Sequence, residues 1–429
     1  MGNVCLASAD PFDFDIDTES QSSNLVSVTT LDEKEESLQE KTFWDSWDYR
    51  FSGIIDTTIR KNIVRHGYQT SRLRLDTSLK ITGPIDAFIN AKFDYDEAAR
   101  KWHEETSATL YEAYISDSLS FSNQNGITYA LGKQRISWAV TDGVTTTDLL
   151  NALDFKDPIA SGRTLKRFSS WAAKLQVGSA LGTSEFVYLP IGKERRKAKK
   201  DSPWELSTVY SLRESAERNE ISLEEKFNPH KPEFALRHMV YGEGFDIGVV
   251  FHNGLSDIPV MTSRYQDKLC VKLEPIRQRT YSLLAAATIE NSTIRAEVAF
   301  QDKAAMYDKL GKLYLDKRVE YILGWDRNFD YDIYANIQFF HDWYQASQDD
   351  YGVTYALNQQ YFNQALTLGV SGFLGYHNEH TVEVYAEYAV SDSFKVRARY
   401  FDIGGGISSS MYADFAKNDF VEIGASYFF

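Results

Sequence analysis

Cysteine is nearly absent from this chain. Only Cys5 and Cys270 occur in 429 residues. Cys5 falls in what reads as a leader, so the mature part holds one thiol and no intrachain disulfide. A secreted soluble protein of this size more often carries bridges. Long apolar runs are missing too. The longest, Tyr281 to Ile289, is far short of the roughly 20 residues that a spanning helix needs, and mean hydropathy is −0.39. That excludes a bundle of membrane helices. It leaves a spanning barrel open, because lipid-facing and lumen-facing residues alternate there and average hydropathy stays low. Turn formers are sparse: 25 Gly and 9 Pro are few for a sandwich with turns every few residues. Basic excess is also lacking. The formal net charge is −15, which argues against nucleic acid as a partner.

What is abundant is aromatic side chain, with 26 Tyr and 26 Phe. From Trp44 onward the dominant signal is period two, the mark of a strand with two different faces. Leu73, Leu75, Thr77 and Leu79 share one face; Arg72, Arg74, Asp76, Ser78 and Lys80 share the other. After the Gly83-Pro84 turn, Ala87, Ile89, Ala91, Phe93 and Tyr95 oppose Asp86, Asn90, Lys92 and Asp94. The pattern returns over 294–301, 331–339, 382–390 and 394–400. A sandwich strand also alternates. Here, however, the polar face carries many long charged side chains, and the apolar face ends in Tyr, Phe or Trp. That suits a lumen on one side and interfacial aromatic girdles on the other. The chain therefore reads as all-β, a transmembrane antiparallel β-barrel of about 16–18 strands. One stretch resists the count: if both termini lie on one side, Trp343 to Tyr361 becomes a long connection where a short one is expected.

The ends carry their own signals. Ala7-Ser8-Ala9 is a small-x-small cleavage site, so residues 1–9 read as the remnant of a signal peptide; a chance Ala-Ser-Ala is the alternative. Residues 10–43 are acidic and polar. Phe12-Asp13-Phe14-Asp15-Ile16-Asp17 alternates, yet alone it cannot bury a face, and the region reads as a flexible periplasmic arm, with a small plug as the alternative. Residues 44–429 form the barrel, with long loops at about 137–167, 191–232 and 403–416. In the last stretch Ile423, Ala425, Tyr427 and Phe429 alternate with Glu422, Gly424, Ser426 and Phe428. This looks like the C-terminal strand of outer-membrane barrels, with Tyr427 and Phe429 read by the barrel-assembly machinery. Physically, the last strand must pair with the first to remove the sheet edges.

Three segments are candidates for function. The loop after Ile136 holds Trp138, Asp142, Asp148, Asn151 and Asp154 around a Thr run at 145–147. It either folds into the lumen as a constriction or stands outside as an exposed loop. The basic cluster Lys193, Arg195, Arg196, Lys197, Lys199 and Lys200 either contacts lipopolysaccharide phosphates or an anionic cargo, or is a solvated charge run. Lumen-facing charge falls on Arg72, Arg74, Lys80, Arg295, Glu297, Glu383, Glu387, Lys395, Arg397 and Arg399. Pairing across strands would make this a stiffening ladder; a selectivity track is the other reading, and the mixed signs argue against a strong filter. No Gly-x-Ser-x-Gly, His-Glu-x-x-His, phosphate loop or paired Cys motif is present. The chain thus reads as a non-enzyme with no cofactor and no metal.

Gly132-Lys133-Gln134-Arg135-Ile136-Ser137-Trp138, with Asp142-Gly143, Asp148-Leu149-Leu150-Asn151 and Asp154, resembles a family of proteobacterial outer-membrane barrels catalogued as a domain of unknown function. Glu185 to Pro190, Phe245-Asp246, Asn253-Gly254, Pro259 and the Val390 to Ser393 turn extend the resemblance over most of 44–429. The motifs are short, and the family usually has Gly where this chain has Ala139. The pattern is also similar, more weakly, to the alginate-export barrel family, whose basic lumen is not clearly reproduced, so polysaccharide export does not carry over. The first resemblance implies a conduit in a Gram-negative outer membrane for a hydrophobic, amphipathic or anionic solute. Its implied partners are an inner-membrane exporter of the resistance-nodulation-division type and a periplasmic carrier, besides outer-membrane lipid and lipopolysaccharide. A general diffusion porin for small polar solutes is the alternative; a barrel enzyme or a structural protein is the third.

Overall fold

The computed structural model describes residues 47–429 except 65–68, 103–104, 123–124, 157–166, 194–196, 199, 226–229, 257–258, 266, 308–312 and 407–410. The leader and the acidic arm, residues 1–43, lie outside the described residues.

Eighteen strands form one antiparallel sheet. In chain order they are β1 Asp48–Asn62, β2 Gln69–Thr82, β3 Asp86–Asp96, β4 Thr106–Ser122, β5 Asn125–Gln134, β6 Ser170–Ser179, β7 Gly182–Leu189, β8 Glu233–Gly242 and β9 Phe245–Leu255. Then come β10 Arg277–Ile289, β11 Ser292–Tyr307, β12 Leu313–Phe329, β13 Ile333–Tyr344, β14 Asp350–Tyr361, β15 Leu366–Gly375, β16 His380–Ser391, β17 Phe394–Gly404 and β18 Phe420–Phe428. Each strand pairs with its chain neighbour, and β18 returns to β1 with Ile59 opposite Ile423, closing the barrel. Closure satisfies the backbone groups that lipid cannot.

Alternation decides which residue faces where. Outward residues are apolar and exposed, among them Ile55, Leu73, Ile89, Leu283, Leu323 and Ile423. Rings crowd near one rim of this face. Phe234, Phe251, Tyr281 and Phe300 run across β8 to β11 with neighbouring centroids 5.8, 5.1 and 6.4 Å apart. Near the other rim stand Phe51, Tyr331, Phe362 and Tyr427. An apolar belt between two aromatic girdles is what a bilayer requires of a wall. The chain is a transmembrane β-barrel.

The two ends differ. At one end the connections are two to four residues long, such as 180–181, 243–244 and 362–365. At the other lie the long insertions 135–169, 190–232, 256–276 and 405–419. These differ by a few residues from the sequence expectation. The insertion at 256–276 was not anticipated: its strands 260–265 and 269–274 form a small sheet with 221–225. The stretch from Trp343 to Tyr361 is not a loop. It contains β14, and only 345–349 connects β13 to β14. The lumen face of β14 runs Asp350, Gly352, Thr354, Ala356, Asn358 and Gln360, with its one charge at the first residue of the strand.

Strand length is uneven. β7 has 8 residues and β12 has 17. Beside the short strands, Tyr129, Leu131, Leu175, Phe186, Phe234 and Phe251 line a concave apolar groove of about 750 Å³ on the outer face.

Candidate functional site: a lumen crossed by an inserted loop

The chain leaving β5 turns into the barrel. Its base is stitched by Asn151, which is fully buried. The Asn151 side chain accepts from the Ile136 N–H at 3.0 Å and donates to the Ile136 carbonyl at 2.7 Å and to Asp148 at 2.8 Å. Arg167 pairs with Asp148 at 3.2 Å and donates to the Asn151 carbonyl at 3.0 Å. Beyond this base Ile136, Trp138 and Leu150 pack on Ala172, Val187, Leu189, Ala235, Met239, Val250 and Leu284, the inward residues of β6 to β10. The Trp138 indole donates to Glu185 at 3.2 Å, and Arg237 pairs with the same carboxylate. Each fully buried large side chain contributes roughly 1.5–3 kcal/mol of hydrophobic burial.

The loop then reaches the far wall. Glu297, the sixth residue of β11 and fully buried, receives the N–H groups of Val140, Thr141 and Thr146 at 2.9, 3.1 and 2.8 Å. The hydroxyls of Thr141, Thr145, Thr146 and Thr147 complete the shell at 2.8, 3.1, 2.9 and 3.3 Å. A buried carboxylate is tolerable only when so well supplied with donors. On β13, Gln338 accepts the N–H groups of Gly143 and Val144 at 2.8 and 3.0 Å. Asp142 meets Arg295 at 3.0 Å and Asn336 at 3.2 Å. Gly143 lies against Thr354 of β14, and a Cβ there would stand 2.9 Å from the Thr354 Cβ. β14 is nine strands from β5 in a ring of eighteen. The loop therefore crosses the full diameter.

The second insertion enters beside it. Trp204 stacks edge-on upon Phe415 at 5.1 Å and joins Phe340, Phe373, Phe401, Ile403, Tyr412 and Phe420 in a second apolar cluster, against which Val144 also packs. The Asn418 amide donates to the Pro203 carbonyl at 2.7 Å. The two clusters fill the lumen beside β6–β10 and beside β12–β18 at the long-loop end.

The wall from β16 to β4 carries a further, longer run of charge. Every sequence-assigned lumen charge there faces inward. Lys395, Ser426, Asp56, Arg74 and Asp94 form one row across β17, β18, β1, β2 and β3. Arg397 grips Asp56 with both terminal nitrogens, at 2.6 and 2.9 Å. Glu422, missed in the sequence reading, takes Arg60 and Arg399 at 2.9 Å each. Arg399 also holds Glu383 at 3.1 Å, and Lys395 holds Glu387 at 2.9 Å. Arg72–Asp96, Arg74–Asp94 and Lys92–Asp76 continue the ladder. Exposure varies along the ladder: the Arg74 side chain is 51% exposed, whereas those of Arg60, Arg397 and Arg399 are largely sequestered.

Several expectations are corrected by position. Trp138, Asp148 and Asn151 do not border an opening; they are buried inside the loop's own base. Asp142 alone of the five constriction candidates bridges to the far wall; Asp154 accepts from the Lys156 N–H and stays near the loop base. Lys193 is not part of an outward basic patch. It is buried, 3.6 Å from Glu233, and donates to the Leu149 carbonyl, so it ties the second insertion to the first. Glu233 also takes His252 at 3.1 Å. Lys197 and Lys200 pair with Glu225 and Glu217; Arg195, Arg196 and Lys199 lie outside the described residues. One signal did mark the loop's seat. β9 and β10 contain short continuous apolar runs, Ile247–Phe251 and Leu283–Ala287, which in a barrel means that the lumen face is covered there as well.

Among solved structures, Salmonella typhi OmpF in complex with daunomycin aligns over 90% of this chain and 99% of that one, at 10% identity and a TM-score of 0.45. A Rhodopseudomonas blastica porin mutant aligns over 89% and 100%, at 11% and 0.42. A loop-deletion mutant of OmpT, an outer membrane protein of Vibrio cholerae, aligns over 90% and 100%, at 10% and 0.42. These likenesses are loose. No protein-family model matches the chain, and no curated protein matches it.

Proposed function

We propose that this protein is a passive outer-membrane channel, narrowed inside by the 135–156 loop and lined along β16–β4 by the charged ladder. The short-turn end then faces the periplasm and the long-loop end the exterior, as in outer-membrane barrels generally. The observation that carries the reading is the loop latched to the opposite wall through Glu297. A solute passes between that loop and the ladder. Polar, charged lining favours small hydrophilic solutes.

The test is single-channel recording on the refolded protein in a planar bilayer. Stepwise currents, smaller than those of the same barrel without its loop, are expected. A silent barrel that stays silent without the loop would sink the proposal. A silent barrel that conducts once the loop is removed favours a second reading, a gated conduit opened by an exporter. The two apolar clusters filling the long-loop end are what speak for that alternative.

Acidity should tune the latch. Asp142 sits on the loop, not on a spanning strand. Burial pushes its carboxyl up to about 6; Arg295 opposes the shift, and the neighbouring Asp326 adds to it. The docked loop thus disfavours the charged form, so docking strengthens as pH falls through 6 and weakens as pH rises. Current flicker should decline between pH 7.5 and 5, and Asp142→Asn should flatten the profile. Equal flicker at both pH values would remove Asp142 from the latch.

A further inference from the structure

Beyond the row of rings on β8 to β11, toward the long-loop end, the outer face carries a cluster of cations. β10 alternates cleanly there: Arg277, Arg279, Tyr281 and Leu283 are exposed, while Thr280, Ser282 and Leu284 are buried. The two arginines therefore share the lipid-facing side with Tyr281. On β12, Lys317 is exposed on the same face as Tyr321. Between them β11 bulges. Gln301 opposes Arg318 and Ala304 opposes Asp316, so Asp302 and Lys303 share the place across from Lys317. A bulge re-aims side chains at a sheet rim, and Lys303 is exposed. Four cations thus occupy three adjoining strands, across about 10 Å of rim.

Among the described residues none of the four has an ionic partner. The carboxylates at hand are engaged: Asp302 accepts the Arg279 N–H at 2.8 Å, and Glu274 takes Lys231 and Lys272. Arg277 is also held in place. Its guanidinium donates to the Asn253 side chain at 3.1 Å and to the Pro232 carbonyl at 2.7 Å. Both acceptors are neutral, so the side chain is oriented while its charge stays uncompensated. Asn253 lies two residues beyond Phe251, and Pro232 two residues before Phe234. Phe251 and Phe234 line the apolar groove on the outer face. The guanidinium stands at the exterior mouth of that groove.

Charge and groove together describe an amphiphile. We propose that a phosphorylated acyl lipid of the outer leaflet docks here, its phosphate against Arg277 and Arg279 and one acyl chain in the groove along β8 and β9. Lys303 and Lys317 take a second phosphate where the headgroup carries one. Guanidinium groups match phosphate oxygens in paired, charge-assisted hydrogen bonds. Cations just outside an aromatic girdle lie at the level of the headgroups. The sequence pointed to 193–200 for this contact, but Lys193, Lys197 and Lys200 are paired with acids. The choice of leaflet rests on the exterior orientation of the long-loop end proposed above.

Binding in detergent tests the site without reference to orientation or current, so its failure would leave the channel reading standing. The refolded full chain in a neutral detergent is titrated with bis-phosphorylated lipid A, and bound lipid is counted by native mass spectrometry. Saturable binding of one lipid per barrel is expected. Arg277→Gln with Arg279→Gln should weaken it about tenfold or more. Lys303→Gln with Lys317→Gln should weaken it severalfold, and decides the matter should the first pair misfold. Unchanged binding by both double variants would overturn the proposal, as would equal binding of lipid A stripped of its phosphates or of its acyl chains. Displacement by inorganic phosphate at a concentration equal to that of the lipid would overturn it too, because the site would then be one for a free anion.

Discussion

Excising residues 140–149 should raise single-channel conductance by about twofold or more, since an 18-stranded barrel without an internal loop encloses an aqueous channel. The excision removes the span between Trp138 and Leu150 and leaves both in the apolar cluster beside β6–β10. It frees Glu297, Gln338 and Arg295 to face water. Glu297→Ala should reach part of the same result. Three N–H groups and four hydroxyls then lose their common acceptor. Each group left unsatisfied costs roughly 1–3 kcal/mol, so the loop loosens and the current becomes noisy while the wall stays intact. An unchanged conductance in the excised form would mean that the passage does not run past this loop.

The seam between β18 and β1 should be equally sensitive, at the level of folding. A Cβ on Gly53 would stand 2.7 Å from the Asp76 carbonyl oxygen and 3.0 Å from a Phe429 ring carbon. The carbonyl belongs to the neighbouring strand and cannot move aside without breaking the ladder. Gly53→Val should therefore abolish most of the closed, heat-modifiable form seen on gels of unboiled protein. Phe429→Ser should be milder. It removes the ring packed 5.8 Å from Phe51 but leaves the paired backbone. A Gly53→Val protein that closes normally would show that the seam tolerates a side chain, and the close approach would lose its significance.

Much of the barrel was legible because its wall separates two solvents. β2 and β3 could be read residue by residue, since lipid and water demand opposite side chains on alternate positions. The rule failed where one solvent was missing. β9 and β10 face lipid on one side and the inserted loop on the other, so their alternation is muted. β14 presents mostly uncharged residues to the lumen, so its polar face did not stand out and the strand went uncounted. The latch itself was half visible. Glu297 stood out as a lumen charge, and the Thr run and Gly143 marked an unusual loop. What joins them is mostly backbone N–H to carboxylate, and a backbone N–H has no letter in a sequence.

The uneven strands have a consequence for the lipid. A tilted strand needs about 9–11 residues to cross a bilayer, and β7 has 8 where β12 has 17. The bilayer meets a low wall on one flank and a high one on the other, and thickness mismatch is relieved by local thinning or by tilt. The apolar groove beside β7 opens on the low flank, where acyl chains must crowd closest to the headgroups.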